Sequence, residues 1–534
     1  MTPPTIVARV LKRFGFEPIR KRNYFAGAAA SRLTSDWITG SIGPSNELRG
    51  SLRTLRDRAR DLERNNPLVR RYLNLVAENV IGHKGIRLQV RNLLPDGNPN
   101  TKANSAIEQA FCLWHQPSTL SADGRLSWVA FQQQVVRTMA RDGEAFVRLV
   151  RGGTYGLSLQ LIDADLVDET YSQAAGDRPA IKLGIEVDAW DRPLAYHVFK
   201  SHQFEVTGGS RERVRIPAAD ILHLFIPRRP GQTRGESWLA PVLLALRMLD
   251  GYTEAELVAA RTAAAKMGFI VQSPDAPTDT DPNAPRQDQM DAAPGVIDRL
   301  GVGETFDSWD PTHPSQNFAL FVTQIGKFIA AGLNVSFAAL TSDLRETNFS
   351  SARIGLLQER DAWRALQVFM ADHFCRPIYT EWRAVAWRMG HVSLRMTPDQ
   401  YAAHDWRPRG WAYTNPSQEQ AADMMAVAAG FTSPQRVVAD NGDDLEEIYA
   451  EIDAANQLAE TYDIDRFVPN SVVNPEDQNA THDPAGDSAG TATADAGDRS
   501  GRDGHPGRRG RADSGLALLR SARGPVVRDR STGS

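Results

Sequence analysis

Three aspartates within six residues form the densest group of potentially catalytic side chains in this sequence. Asp163, Asp165 and Asp168 follow the apolar pair Leu161-Ile162. Residues two apart share a face of an extended strand, so the first two carboxylates would lie side by side, as Mg²⁺ sites of DNA-cleaving enzymes require. The same pattern is typical of a strand that ends in aspartate-stabilised turns. No neighbouring Glu/Lys motif supports the metal site, so turn formation is the simpler interpretation.

A second segment has the spacing of a serine nucleophile. In Asn348-Phe349-Ser350-Ser351-Ala352-Arg353 the serine and the basic residue are three apart, but arginine stands where a lysine base would be. The pKa of an arginine stays above about 12, so Arg353 cannot accept a proton from serine. The start of a helix explains this segment better.

Phosphate and metal motifs are also missing. A phosphate-binding loop needs Gly-x4-Gly-Lys-Ser/Thr, and the nearest candidate, Gly326-Lys327, is followed by Phe328. No Gly-x-Gly-x-x-Gly follows a predicted strand, and His-Glu-x-x-His is absent. His373 and Cys375 are two residues apart, but nothing nearby completes a metal site. We therefore expect no enzyme, no catalytic residue, no metal and no cofactor.

The amino-acid composition excludes further classes of protein. The 534 residues include 61 basic and 65 acidic side chains, a net charge of −4, so the whole chain is not a polycation that coats nucleic acid. Two cysteines, Cys112 and Cys375, cannot form a four-thiolate cluster or a disulfide scaffold, and they favour a reducing compartment. No apolar run reaches the roughly 18 residues of a membrane span, and charges interrupt any signal-peptide core, so we expect no membrane partner.

Helical and strand periodicities predict the elements that would position these residues. Leucines at spacings of three and four predict a helix over 48–62, and Asn66 followed by Pro67 predicts a capped helix that continues to Val80. Further helices are expected at 106–115 and 128–142. Short apolar segments predict strands at 85–90, 144–150, 158–162, 184–187, 193–198 and 221–225.

The second half of the chain is predicted to be mainly helical. An alanine-rich helix over 238–266 and a helix over 316–333 flank short strands at 268–272, 295–300 and 304–309 and a polar loop at 273–294. The two helices can run antiparallel, with the excursion at one end. A turn at 341–348 precedes a helix over 350–388, in which Pro377 predicts a kink near Arg376. Helices at 417–430, 434–439 and 445–459 follow.

The two ends of the chain differ from the middle. Residues 1–64 carry a net charge of +7, so the N-terminal arm either touches nucleic acid or an acidic partner, or is a partly ordered tail. Beyond about residue 475 the composition predicts a disordered, mixed-charge tail, in which Gly507–Arg511 is a small basic cluster.

Taken in order, several segments resemble the portal proteins of tailed bacteriophages, most closely the lambda-type portal family. The segments that carry this resemblance are 64–71, 76–85, 141–146, 184–197, 216–223, 230–241, 329–333 and 348–353. Each is a weak motif alone, but together they are collinear over roughly residues 50–390.

The resemblance implies an α+β, multi-domain portal fold with an α/β wing, a long helical stem, a small clip with short strands and a helical crown. Its implied boundaries are a basic arm (1–47), the wing (48–226), a stem helix (227–267), the clip with its polar loop (268–315), a second stem helix (316–340), a channel or tunnel loop (341–349), a long kinked helix with a return to the wing (350–416), the crown (417–465) and a disordered tail (466–534).

The implied function is a ring of about twelve subunits at one capsid vertex, which serves DNA packaging, capsid assembly, head–tail joining and DNA ejection. The implied partners are the major capsid protein, the terminase large subunit, a head-completion or connector protein and double-stranded DNA; the implied location is the virion, with assembly in the host cytoplasm. Candidates for contact with DNA in the channel are Lys327, Thr341, Ser342, Arg345, Asn348 and Arg353. For the cationic ones, salt bridges between subunits are an equal alternative.

Two other functions remain open from the sequence. One is a Mg²⁺-dependent DNA-processing enzyme of the packaging machinery that uses Asp163, Asp165 and Asp168. The other is a capsid adaptor without a channel.

Overall fold

The computed structural model describes residues 40–206, 208–264, 268–272, 304–308, 318–345, 349–392, 399, 402–462 and 464. Most of the arm, the polar loop at 273–294, the strand expected at 295–300, Asn348 and the tail lie outside the described residues. The chain divides after Leu458 into two compact units, and the following paragraphs concern the first. Of the second, the described residues are Ala459 to Tyr462 and Ile464.

The first described elements are three helices, α1 (Pro44–Arg49), α2 (Leu52–Asn65) and α3 (Pro67–Val80). The prediction of one helix over 48–62 is wrong, because the chain breaks at Gly50 and Ser51, between α1 and α2. Glycine has a low helix propensity and favours helix ends. The capped start at Asn66 is confirmed: its side-chain oxygen accepts hydrogen bonds from the backbone N–H groups of Leu68 (3.0 Å) and Val69 (3.1 Å).

Strands and further helices follow up to Phe225. The helices are α4 (Thr101–Trp114), α5 (Pro117–Leu120) and α6 (Trp128–Asp142). The strands are β1 (Arg87–Val90), β2 (Glu144–Arg151), β3 (Leu157–Ile162), β4 (Ala180–Lys182), β5 (Ile185–Val187), β6 (Pro193–Phe199), β7 (Arg213–Pro217) and β8 (Ile221–Phe225). The sequence prediction missed β4 and β7.

The strands pair antiparallel in small sheets. One sheet has the order β3-β2-β8 and another the order β4-β5-β6-β7. β1 pairs with β11 (His404–Arg407), which comes from the far end of the unit. Antiparallel pairing, with the helices packed against the sheets, confirms the α+β class.

The principal core lies between these sheets and the helices. Its centre is an aromatic cluster, in which the ring of Phe111 contacts Trp114, Trp128, Tyr379 and Trp382 with centroids 4.9–5.9 Å apart. These residues come from α4, α6 and a later helix, α11 (Arg376–Arg388), so the core joins helices from distant parts of the chain. A second, smaller core lies under the four-stranded sheet.

The two long helices expected at 238–266 and 316–333 are α7 (Leu243–Ala264) and α8 (Phe318–Gly332). α7 begins later than predicted because Pro241 lacks the N–H that a helix interior needs. The expected antiparallel arrangement is confirmed: Tyr252 in α7 contacts Phe318 at the start of α8, with ring centroids 5.7 Å apart, while Val242 packs on Gly332 at its end. Between them, β9 (Gly268–Gln272) pairs antiparallel with β10 (Glu304–Ser308).

The long helix after the turn is interrupted as predicted. α9 (Phe337–Thr341) and α10 (Phe349–Met370) lead into a π-helical turn at Ala371–Cys375, which precedes α11 (Arg376–Arg388). Pro377 cannot donate a hydrogen bond and its ring crowds the preceding turn, which the wider π-helical turn accommodates.

The last helices are α12 (Pro416–Ala428), α13 (Pro434–Asp440) and α14 (Leu445–Thr461), close to their predicted bounds. In the described part of the chain, no helix combines the length and the apolar character that crossing a bilayer requires.

Candidate functional site

The three aspartates are held by arginines and turns. Asp163 accepts a hydrogen bond from Arg60 (2.7 Å) and also caps a short 3₁₀ turn through the N–H of Asp165 (2.9 Å). Asp165 forms ion pairs with Arg56 and with Arg60. Burial raises the pKa of Asp165, but the two guanidinium groups outweigh it and leave the pKa below its ordinary value.

The third aspartate is separate from this group of charges. Asp168 accepts hydrogen bonds from the N–H (3.0 Å) and the hydroxyl (2.6 Å) of Thr170 and lies 3.3 Å from Arg213. Among the described residues, no group of three or more His, Cys, Asp or Glu side chains is arranged to hold a metal ion. The geometry therefore favours the turn interpretation over a Mg²⁺ site.

A buried charge cluster lies beside this turn, and the sequence analysis missed it. The carboxylate of Glu144, at the start of β2, and the guanidinium of Arg234 are both fully buried; their closest contact is 2.6 Å, from Nη2 to Oε1. His223 Nε2 lies 3.0 Å from the second carboxylate oxygen, which also accepts the N–H of Gly235. Burial raises the pKa of Glu144, but Arg234 and His223 outweigh it and hold the pKa well below its ordinary value.

Two glycines bring the backbone close at this cluster. Gly143 has φ +93°, and a Cβ there would lie 2.2 Å from the carbonyl carbon of Glu236. A Cβ on Gly235 would lie 2.1 Å from the carbonyl oxygen of Gly143. The segment that leads into α7 is therefore fixed to the first strand of the sheet by backbone contact as well as by charge.

The three cationic channel candidates converge on one cavity. Lys327 on α8, Arg345 in the turn and Arg353 on α10 line a space of about 780 Å³ between these elements. Asp343 and Glu359 line it as well, so it holds both signs of charge. The sequence order alone did not predict this convergence.

The arginines among these candidates have carboxylate partners. Arg345 donates to Asp343 through Nε (2.9 Å) and Nη2 (2.7 Å), which lowers the pKa of Asp343 to about 2. Arg353 Nη2 lies 2.9 Å from Oε1 of Glu419 on α12. The Lys327 ammonium lies 6.0 Å from the centre of the Phe337 ring. A phosphate group would compete with these partners.

The polar candidates lie at the end of α9. The Thr341 hydroxyl donates to the carbonyl oxygen of Phe337 (2.8 Å), and Ser342 ends the helix in the left-handed conformation, with φ +59°. Neither lines the cavity, and Asn348 lies outside the described residues.

Sequence reasoning also missed the contact that fixes α9. Ser336 caps the helix, since its hydroxyl accepts the N–H of Ala339 (3.1 Å), and both Glu359 oxygens accept from Ser336, one from its N–H and one from its hydroxyl, at 3.2 Å. Burial raises the pKa of Glu359 above its ordinary value. The Ser336 cap had a local signal in the sequence; its partner, 23 residues away, had none.

The sequence matches a protein family over this whole region. The model of the family described as "Phage portal protein, lambda family" matches residues 30–367. The chain belongs to this family. The match covers every described strand except β11, and it covers α7, α8 and the turn with the channel candidates, so the resemblance seen in the sequence is confirmed.

Two relatives of this portal-family chain are themselves named as portal proteins. It is 32% identical over 481 residues to the "Probable portal protein" of Halomonas phage phiHAP-1, covering 86% of this chain and 89% of that protein. It is 20% identical to "Portal protein B" of Escherichia phage lambda, covering 74% of this chain and 81% of that protein. A solved structure, "Neck of native GTA particle computed with C12 symmetry", is 15% identical and covers 71% of this chain and 92% of that one, with a TM-score of 0.39.

Proposed function

We propose that this portal-family chain assembles into a closed ring of about twelve copies, whose central channel passes double-stranded DNA at one vertex of a capsid. The ring would serve DNA packaging, the start of capsid assembly, head–tail joining and DNA ejection. The observation that carries this proposal is the family match over residues 30–367. The location would be the virion, after assembly in the host cytoplasm.

The proposed assignment of domains follows the boundaries implied by the resemblance. The antiparallel sheets up to Phe225 correspond to the wing, α7 and α8 to the stem, β9 with β10 to the clip, and the turn between α9 and α10 to the channel loop. α10 with α11 corresponds to the long kinked helix, and α12 to α14 to the crown. The capsid protein, the terminase large subunit and a head-completion protein would bind the outside and the two ends of such a ring.

Weak attraction for DNA suits a conduit. Every Lys or Arg that contacts phosphate adds affinity, and a channel that passes long DNA needs few lasting contacts. The carboxylate partners of Arg345 and Arg353 reduce the attraction that each exerts on phosphate. Lys327, Thr341, Ser342 and Asn348 complete the proposed set of channel residues.

The test of the ring is end-on electron microscopy and native mass measurement of the purified full chain at low and high salt. We expect closed rings with a central opening wide enough for a duplex. Only monomers under all salt conditions would refute the proposal, and closed particles without an opening would favour the adaptor instead.

The test of the channel residues is the salt dependence of DNA binding by those rings. The DNA-binding constant falls as salt rises, and on a log–log plot each phosphate that a cation neutralises makes this fall steeper by about 0.9. In Arg345→Ala the plot should become less steep by up to about 0.9 for each phosphate that Arg345 neutralises in the subunits touching DNA. Arg364→Ala, an exposed arginine in the middle of α10, is the matched control and should leave the slope unchanged. Equal slopes for both variants would remove Arg345 from the channel.

In the part of the chain that the structure describes, no observation favours a Mg²⁺-dependent enzyme, because all three aspartates already contact arginines.

A further inference from the structure

Nothing in the described part of the chain explains a glycine in the middle of α7. Gly251 is exposed, and a Cβ built on it would meet nothing within 4 Å. A glycine in a helix interior makes the helix less stable than an alanine would. The described part of the chain therefore gains nothing from a glycine at this position, which suggests that a group from outside the subunit approaches the helix there.

Gly251 belongs to an exposed stripe with heptad spacing. Leu244, Met248, Gly251, Ala255 and Val258 are separated by four, three, four and three residues, the pattern of a helix that packs along another helix. All five are exposed, Leu244 by 72% and Met248 by 66%. We call these five residues the α7 stripe. The side chains at its two ends are large, and those in its middle, at Gly251 and Ala255, are small.

α8 also carries an exposed stripe, and this one presents large aromatic side chains. Phe321, Gln324, Phe328 and Ala331 are separated by three, four and three residues and are all exposed; we call them the α8 stripe. Phe328 is 67% exposed and Phe321 48%. Large aromatic side chains project here, whereas the middle of the α7 stripe offers Gly251 and Ala255. The large side chains of the α8 stripe can therefore occupy the space beside the small residues of the α7 stripe.

The two stripes cannot cover each other within one chain. α7 and α8 already pack together through other residues, at Tyr252 with Phe318 and at Val242 with Gly332, where a Cβ on Gly332 would lie 2.4 Å from a Val242 methyl carbon. Phe321 touches Tyr252 at the margin of that contact and stays half exposed. The contact between α7 and α8 thus leaves the residues of both stripes exposed.

We propose that the α8 stripe of one copy packs on the α7 stripe of the next copy, with Phe321 seated against Gly251 and Ala255 and Phe328 between Leu244 and Met248. This rests on the proposed ring, and it names the partner of these helices as a second copy of the same chain. Because the two stripes are different surfaces, the contact is head-to-tail, the kind of interface that closes into rings.

The levels of the residues along the helices fit this pairing. Within one chain, Phe318 and Phe321 lie at the level of Tyr252, and Gly332 lies at the level of Val242. In a ring whose axis runs along the helix pair, rotation moves each copy sideways and leaves these levels unchanged. The neighbouring Phe321 would therefore arrive between Gly251 and Ala255, and Phe328 between Leu244 and Met248.

The test places a large side chain at the position of Gly251. In Gly251→Phe, we expect the fraction of chain in rings to fall at least tenfold in native mass measurements, while Gly251→Ala keeps its rings. The double variant Gly251→Phe with Phe321→Ala exchanges the large and small partners and should restore rings. Thr54→Phe adds similar bulk at an exposed position of α2, outside both stripes, and should assemble like the unaltered chain.

The outcomes separate the inference from the function on which it rests. If the unaltered chain forms no rings, the proposed function fails. If it forms rings and Gly251→Phe forms them equally well, the pairing of the stripes is wrong. A lower unfolding temperature of the monomeric subunit in Gly251→Phe would mean that the chain's own segment covers the stripe, which also overturns the inference. Loss of rings in Phe328→Ser, with unchanged circular dichroism, would support it independently.

Discussion

Replacement of Arg234 by methionine tests whether Glu144 is a buried anion that depends on one partner. Arg234 provides three of the short N···O contacts to the carboxylate, at 2.6–2.9 Å, and also donates to the carbonyl oxygen of Leu183 at 2.9 Å. Methionine fills the space of the aliphatic stem but donates nothing. The variant leaves Glu144 with His223, the Gly235 N–H and a longer contact to Arg56 at 3.4 Å.

The expected cost follows from burial. Both side chains are fully buried, so the carboxylate cannot recover its hydration when Arg234 is removed. Loss of one partner from a buried pair costs about 3–5 kcal/mol of unfolding free energy. Glu144→Gln leaves the arginine a neutral acceptor, and the double variant removes both charges, so the two changes should couple by about 1–3 kcal/mol.

The pH dependence gives a second readout. In the unaltered protein, burial holds the pKa of His223 below its ordinary value, so stability falls as pH drops below about 6.5. Without Arg234, the unpaired carboxylate should raise the pKa of His223 above that value. The stabilisation this provides is present below about pH 6.5 and is lost as pH rises through the new pKa. The variant's deficit should therefore be smaller near pH 6 than near pH 8.

Urea unfolding followed by tryptophan fluorescence measures both effects on the full chain. A deficit below about 1 kcal/mol at both pH values would mean that Glu144 does not depend on Arg234. A deficit that grows towards acid would refute the proposed response of His223.

Three further outcomes follow from single residues. Burial, and after it the nearby Asp444, raises the pKa of Glu108 to about 7. The folded protein therefore loses stability as pH rises from about 4.5 to 7, because the unfolded chain releases this proton first. Glu108→Gln should have a higher midpoint of urea unfolding than the unaltered chain near pH 8 and an equal midpoint near pH 5. Burial lowers the pKa of His115 to about 4, so His115→Phe should remove part of the loss of thermal stability between about pH 6.5 and 4. Gly143→Ala should cost at least about 1–3 kcal/mol in urea unfolding, whereas Gly97→Ala, at a similar positive φ with open space around it, should cost less.

Local signals predicted much of the secondary structure. The bounds 128–142 and 221–225 match α6 and β8, because Ser127 caps the first and Gly143 ends it, and four of the five residues of the second are apolar. β7 was missed although polar and apolar residues alternate from Arg213 to Ile216, because the segment has only five residues and two of them are arginines. The break at Gly50 was missed because leucine spacing continues through it.

The side-chain contacts of the candidate site were less predictable, since the residues that form them are distant in sequence. Glu144 and Arg234 are 90 residues apart, and Arg353 and Glu419 are 66 apart, so no local pattern couples them. The three cationic channel candidates were named from the sequence, but their shared cavity depends on how α8, the turn and α10 pack. The exposed stripes were invisible for the same reason, because heptad spacing alone does not tell a buried helix face from one that awaits a partner.

The buried charge cluster and the proposed contact between copies are connected through α7. Arg234 and Gly235 lie less than ten residues before α7 begins, and Gly143 fixes the intervening backbone to the sheet at Glu236. A charged pair and a backbone contact at one point leave little freedom for the angle at which α7 leaves the sheet. A head-to-tail interface closes only when every copy holds the same angle, since small errors add up around the ring. In the proposed ring, the buried cluster would thus serve assembly by keeping the stripes of all copies aligned.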